Sequence, residues 1–175
     1  FKKPAERGYA EAQTNLGLMY EYGKGVKQDY TEAILWYEKA AEQNDVKSQL
    51  SLALFYKFGK GVLKDYTQVF YWYKKAAELG DTGAQLNLGF MFQYGKGVEQ
   101  DYEEAVTWYK KSAERGHPEA QASLAWIYEN GKGIEADLKE AIYWYKKSAE
   151  QGNTKAQLKL GIIYKNGNGT VEDYT

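Results

Sequence analysis

One stretch recurs along the chain at a fixed interval. Gly23-Lys24-Gly25-Val26, leading to Asp29-Tyr30, returns as Gly59-Lys60-Gly61-Val62 with Asp65-Tyr66, and as Gly95-Lys96-Gly97-Val98 with Asp101-Tyr102. A fourth copy, Gly131-Lys132-Gly133-Ile134, leads to Asp137-Leu138, and a frayed fifth runs from Gly167-Asn168-Gly169 to Asp173-Tyr174. The step is 36 residues each time, without insertion. A period in this range marks a stacked repeat array, in which a unit buries its apolar face only against its neighbours.

Each unit reads as two helices. In residues 81–116, Asp81 is placed to cap a helix start, its carboxylate accepting from free backbone N–H groups. Asp45, His117 and Asn153 fill the same place, and Pro118 follows His117 at a first helical position that favours proline. Ala84, Leu88 and Phe92 then fall on one face, beside the recurring Gln85. Gly89 matches Gly17, Gly161, Ala53 and Ala125. Only small residues sit there, although mid-helix glycine costs about 0.5–1 kcal/mol relative to alanine; the pattern predicts close helix approach. Gly95 ends the helix in a left-handed conformation, with Lys96 near the negative helix end.

Asp101 starts the second helix, and Glu104 three residues on predicts a capping box. Asp29 with Glu32, Asp65 with Gln68 and Asp137 with Glu140 repeat the arrangement. This helix carries Ala105, Trp108, Tyr109 and Ser112 at helical spacing and is stopped by Gly116, as the others are by Gly80, Gly152 and Asn44. The expectation is an all-α fold of antiparallel helix pairs, a single repeat domain over residues 1–175. It comprises the end of a truncated repeat (1–8), full repeats at 9–44, 45–80, 81–116 and 117–152, and a partial repeat at 153–175. Phe1-Lys2-Lys3 matches Tyr73-Lys74-Lys75, so the chain opens in mid-helix and reads as part of a longer protein. Its compartment is left open.

Composition excludes several functions. Lys and Arg (23) balance Asp and Glu (24), which disfavours nucleic-acid binding through phosphate neutralisation. No apolar run reaches the roughly 18 residues of a membrane span. The absence of cysteine excludes disulfides and thiolate metal sites.

The pattern Ala84-x-x-x-Leu88-Gly89-x-x-Phe92-x-x-Gly95-x-Gly97-Val98-x-x-Asp101-x-x-x-Ala105-x-x-Trp108-Tyr109-x-Lys111-Ser112-Ala113-x-x-Gly116 resembles the Sel-one-like repeat (SLR) family, a relative of the tetratricopeptide (TPR) repeat. The resemblance covers nearly all of the chain; Leu138, Val69 and Asn168 with Thr170 depart from it. It implies a right-handed α-solenoid that serves as a non-enzymatic adaptor for other proteins, without cofactor.

The residues that invite chemistry have structural explanations. The Gly-Lys-Gly loops close a helix, whereas a phosphate-binding loop follows a strand and opens one. His117 stands alone, cannot form a His-rich metal site, and occupies a capping position. Asp29, Asp65, Asp101 and Asp137 repeat one environment, unlike a catalytic acid pair, and read as caps. Ser112 and Ser148 replace Ala40 and Ala76 and have no recurring histidine partner, so they read as packing residues. Trp36, Trp72, Trp108 and Trp144 form a ladder expected in the core rather than in a ligand cage. Asn168-Gly169-Thr170 is an N-glycosylation pattern, meaningful only in a secreted eukaryotic protein.

Positions that stay constant between units serve the fold; those that vary are candidates for recognition. A stripe of the first helices varies in charge and size, and in related solenoids the first helices line the concave surface. The candidate groove comprises Asn15, Tyr22, Ser51, Phe58, Asn87, Phe90, Tyr94, Ser123, Trp126 and Asn130. Aromatic and amide groups together suit capture of a peptide or protein segment. The competing expectations are a small-ligand or cell-wall hydrolase module, and an architectural array that self-associates end to end.

Overall fold

The structure is a computed structural model that describes residues 2–167. Among the described residues it contains ten helices and no strand. The chain divides into two compact units, Phe1–Gln100 and Asp101–Thr175. The first contains α1 (Lys2–Glu6), α2 (Ala10–Tyr22), α3 (Tyr30–Ala41), α4 (Val46–Phe58), α5 (Tyr66–Glu78) and α6 (Thr82–Tyr94). The second contains α7 (Tyr102–Glu114), α8 (Pro118–Asn130), α9 (Leu138–Glu150) and α10 (Thr154–Lys165). Within each unit every helix packs on the next.

Helix boundaries follow the sequence chemistry. The Asp29 carboxylate accepts from the N–H groups of Thr31 and Glu32, that of Asp65 from Thr67 and Gln68, and that of Asp101 from Glu103 and Glu104. Asp45, Asp81 and Asn153 each accept from the N–H three residues on. Gly23, Gly59, Gly95 and Gly131 end the first helices at φ of 60–70°. Asn44 closes α3 at φ 66°, the one described non-glycine residue with positive φ.

Two expectations about caps are corrected. The capping box is half formed: the N–H groups of Asp29, Asp65 and Asp137 donate to the carbonyls of Tyr20, Tyr56 and Tyr128. No reciprocal carboxylate is therefore needed, and Glu32 instead accepts from Trp36 Nε1 at 3.2 Å. His117 takes the cap position of α8 but its imidazole makes no capping bond, and its Nδ1 is buried without a partner.

The core runs along the helix interfaces. Leu52, Leu88 and Leu124 are fully buried, as are Tyr37, Tyr109 and Tyr145. The four ladder tryptophans are 6–8% exposed, which places them in the packing; Lys39 and Lys111 cover the outer faces of Trp36 and Trp108 at 4.2 and 4.0 Å. Ser112 and Ser148 are fully buried, and Ser148 Oγ donates to the Pro118 carbonyl. Phe92 is half-buried and meets Phe70 edge-on at 5.4 Å. At Gly17, an added Cβ would come 2.7 Å from the Tyr37 ring, so the close helix approach is real there.

A ladder of glutamines ties consecutive helices. Nε2 of Gln13, Gln49 and Gln85 donates to the carbonyls of Ala5, Ala41 and Ala77, each at 3.1 Å; Gln121 and Gln157 do the same to Ala113 and Ala149. Each bond gives a second donor to a carbonyl in the last turn of the preceding helix, which already accepts from the backbone N–H three residues on.

Candidate functional site

The variable stripe lies at the surface. Asn15, Ser51, Asn87, Phe90, Ser123 and Trp126 are half-buried, and Tyr22, Phe58, Tyr94 and Asn130 are exposed. Exposure of 61%, 57% and 58% for Tyr22, Phe58 and Tyr94 leaves large aromatic areas uncovered at the ends of α2, α4 and α6. The amide of Asn87 donates to the Gly83 carbonyl and that of Asn130 to the Trp126 carbonyl, both at 2.8 Å. These local bonds fix the amides on their helices and leave each oxygen available as an acceptor.

Three stripe residues converge. Asn87, Phe90 and Tyr94 line one cleft of about 310 Å³ in the first unit. The rings of Phe90 and Tyr94 stack one turn apart, 6.2 Å between centroids at 16°. The remaining stripe residues of this unit, Asn15, Tyr22, Ser51 and Phe58, lie outside that lining, and Ser123, Trp126 and Asn130 belong to α8 of the other unit.

Residues outside the stripe complete the cleft. Lys57 and Lys96 supply two cations; the buried Val69, Tyr73 and Met91 form its inner wall, and the exposed Tyr66 also lines it. Lys96 belongs to a Gly-Lys-Gly loop. Tyr73 is 5% exposed, and its hydroxyl has no hydrogen-bond partner among the described residues. Burial, and secondarily the charge of Asp81, raise its pKa, so it stays a neutral donor.

The preceding repeat holds the equivalent residues differently. There the Tyr37 hydroxyl donates to Glu21 Oε2 at 2.7 Å, and Lys60 Nζ lies 3.6 Å from Glu21 Oε1. Glu21 is 9% exposed. Phe55 is boxed edge-on by Tyr30 and Tyr37, at 5.7 and 5.8 Å. One repeat on, Lys57 stands for Glu21, Tyr73 for Tyr37, Lys96 for Lys60 and Met91 for Phe55. In the second unit the acid returns: Tyr145 donates to Glu129 Oε2 at 2.7 Å, and Lys159 Nζ sits 3.0 Å from both carboxylate oxygens.

Sequence reasoning passed over Lys57 because the column Glu21, Lys57, Gln93, Glu129 mixes acid, base and amide. The available signal was that this changing column stands 16 residues before a constant tyrosine (Tyr37, Tyr73, Tyr109, Tyr145). Among the described residues no group of three or more His, Asp or Glu side chains could hold a metal ion, and no helix is long and apolar enough to cross a membrane.

Capped helix pairs at a constant step, carrying a variable surface stripe, define an α-helical repeat protein. The chain belongs to the Sel1 repeat family: the Sel1 repeat matches residues 10–45, 46–81, 82–117, 118–153 and 154–175. It is similar to a solved protective antigen of uropathogenic Escherichia coli with an SLR fold, at 42% identity and a TM-score of 0.88, covering 95% of this chain and 36% of that one. A Sel1 repeat protein of Oxalobacter formigenes matches at 44% identity and TM-score 0.78, covering 93% of this chain and 66% of the other. Over 35 residues the chain is 49% identical to rat DAP3-binding cell death enhancer 1, which is 20% of this chain and 7% of that protein. The chain thus spans less than two thirds of each of these relatives. Proteins of this family are generally protein-interaction scaffolds and typically non-enzymatic.

Proposed function

We propose that this chain is a non-enzymatic interaction scaffold whose first-helix stripe captures a peptide or protein segment. The convergence of Asn87, Phe90 and Tyr94 in one cleft supports this reading most. Rigid aromatic faces bury area at small entropic cost, and a half-buried amide oxygen accepts from an extended peptide backbone. The rat relative is, by its name, a DAP3-binding protein.

The test is selection of binders from a displayed peptide library, followed by affinity measurement on the Tyr94→Ala, Trp126→Ala double variant. Binding weakens at least tenfold while helical circular dichroism is unchanged, the behaviour of aromatic anchors at an interface. Unchanged affinity would place recognition elsewhere; loss of helical signal would give these rings a core role.

A further inference from the structure

We propose that the cleft between α5 and α6 binds a glutamate or aspartate side chain of the captured segment, in the place that Glu21 holds one repeat earlier. The inference rests on the peptide-binding reading and adds the chemistry of the ligand. In the first pair the chain's own carboxylate is held between a buried tyrosine hydroxyl and a loop lysine. The tyrosine and the loop lysine are both kept in the next pair, as Tyr73 and Lys96, but the acid has become Lys57. The site has therefore exchanged its own anion for a second cation while retaining both partners of an anion.

Four further observations agree. Tyr73 is 5% exposed, yet its hydroxyl, which no described residue accepts from, is not among the buried unpartnered polar atoms, so it is open to the cleft as a donor that a ligand can use. Lys57 and Lys96 make no ion pair among the described residues, and no residue lining the cleft is acidic. Met91 replaces the Phe55 ring with an unbranched, adaptable side chain, beside the Phe90–Tyr94 stack that would flank the acid with apolar contact. The glutamate of the second unit shows the same hydroxyl–carboxylate–ammonium arrangement again, at 2.7 and 3.0 Å.

The experiment is an array of acetylated, amidated octapeptides in matched pairs that differ only by Glu or Gln at one central position. It is probed with the wild-type chain and with Lys57→Glu, Tyr73→Phe and Lys64→Glu. Glu members bind about tenfold tighter than their Gln partners, the scale of a charge-assisted hydrogen bond. Tyr73→Phe removes most of that preference without changing charge. Lys57→Glu restores the internal acid and abolishes the preference, whereas Lys64→Glu, the same charge change at an exposed lysine outside the cleft, keeps it. Equal binding of Glu and Gln members, or binding only by peptides with a free C-terminal carboxylate, overturns this inference and leaves peptide capture standing. Binding of no peptide overturns peptide capture itself.

Discussion

Gly61 lies against Tyr30, one repeat earlier in the chain: a Cβ on Gly61 would fall 2.5 Å from the Tyr30 Cβ. Gly133 meets Tyr102 in the same way within the second unit, also at 2.5 Å. The second glycine of these two loops therefore sets the step between consecutive repeats, over and above turning the chain. Gly61→Ala combines a strained backbone at φ 70° with this clash and destabilises the protein by about 2–4 kcal/mol. Gly152→Ala, at φ 84° with nothing within 4 Å of its Cβ, costs only the backbone term of about 1 kcal/mol. Urea unfolding of the two variants checks the difference; equal losses would remove the contact from the account.

The glutamine ladder has incomplete rungs at Gln49 and Gln85, whose Oε1 atoms are buried without a partner. Gln13 Oε1 accepts from Gln43 Nε2, and Gln121 Oε1 from Gln151 Nε2, both at 2.8 Å. The equivalent of Gln43 one repeat on is Leu79, 48% exposed, and Gln49 Oε1 is buried without a partner. Leu79→Gln supplies the donor and stabilises the fold by about 1 kcal/mol. A lower melting temperature for this variant would contradict the explanation.

Two helical glycines separate packing from propensity. Gly17→Ala gains helix propensity but drives a methyl into the Tyr37 ring at 2.7 Å, for a net loss of about 1–2 kcal/mol. Gly161→Ala meets nothing within 4 Å and raises stability by about 0.5–1 kcal/mol. Thermal melts of both should shift in opposite directions.

Most of the fold was legible because the chain carries its own controls. Capping aspartates, left-handed Gly95 and Asn44, and the buried tryptophans each recur at one position with one environment. What escaped depends on contacts across the repeat boundary. The spacing of Asp29 and Glu32 fits a capping box, but the Tyr20 carbonyl of the preceding helix claims the cap N–H. His117 shares the position of Asp81 but lacks its capping chemistry in the structure. The stripe residues Asn87, Phe90 and Tyr94 were readable from their variation, whereas Lys57 and Tyr73 become visible only when Glu21 is seen bonded to Tyr37.

The buried tyrosine–glutamate pairs make stability depend on alkaline pH. Burial first, then the hydrogen bond and charge of Glu21, raise the Tyr37 pKa above its ordinary value of 10.0, and Glu129 acts likewise on Tyr145. A raised tyrosine pKa contributes stability that is complete below about pH 10 and is lost as pH rises further, because the unfolded chain releases its proton first. Unfolding free energy falls by about 1 kcal/mol per pH unit for each such tyrosine above pH 10. Tyr37→Phe has lower stability at neutral pH and a shallower alkaline decline; an identical slope in wild type and variant would exclude Tyr37 as the titrating group.

The central claim is that recognition belongs to the variable stripe and to the cleft it lines with Lys57, Tyr73 and Lys96, while the loop glycines and the glutamine ladder serve the fold. Amide chemical-shift mapping of the full chain with a selected peptide tests it most directly. The account predicts the largest shifts at Asn87, Phe90 and Tyr94 and around Lys57 and Tyr73, with the glutamine ladder and the first glycines of the loops unmoved. Shifts concentrated instead on the exposed face of α5 and α7, at residues such as Tyr71 and Glu103, with the cleft silent, would contradict it.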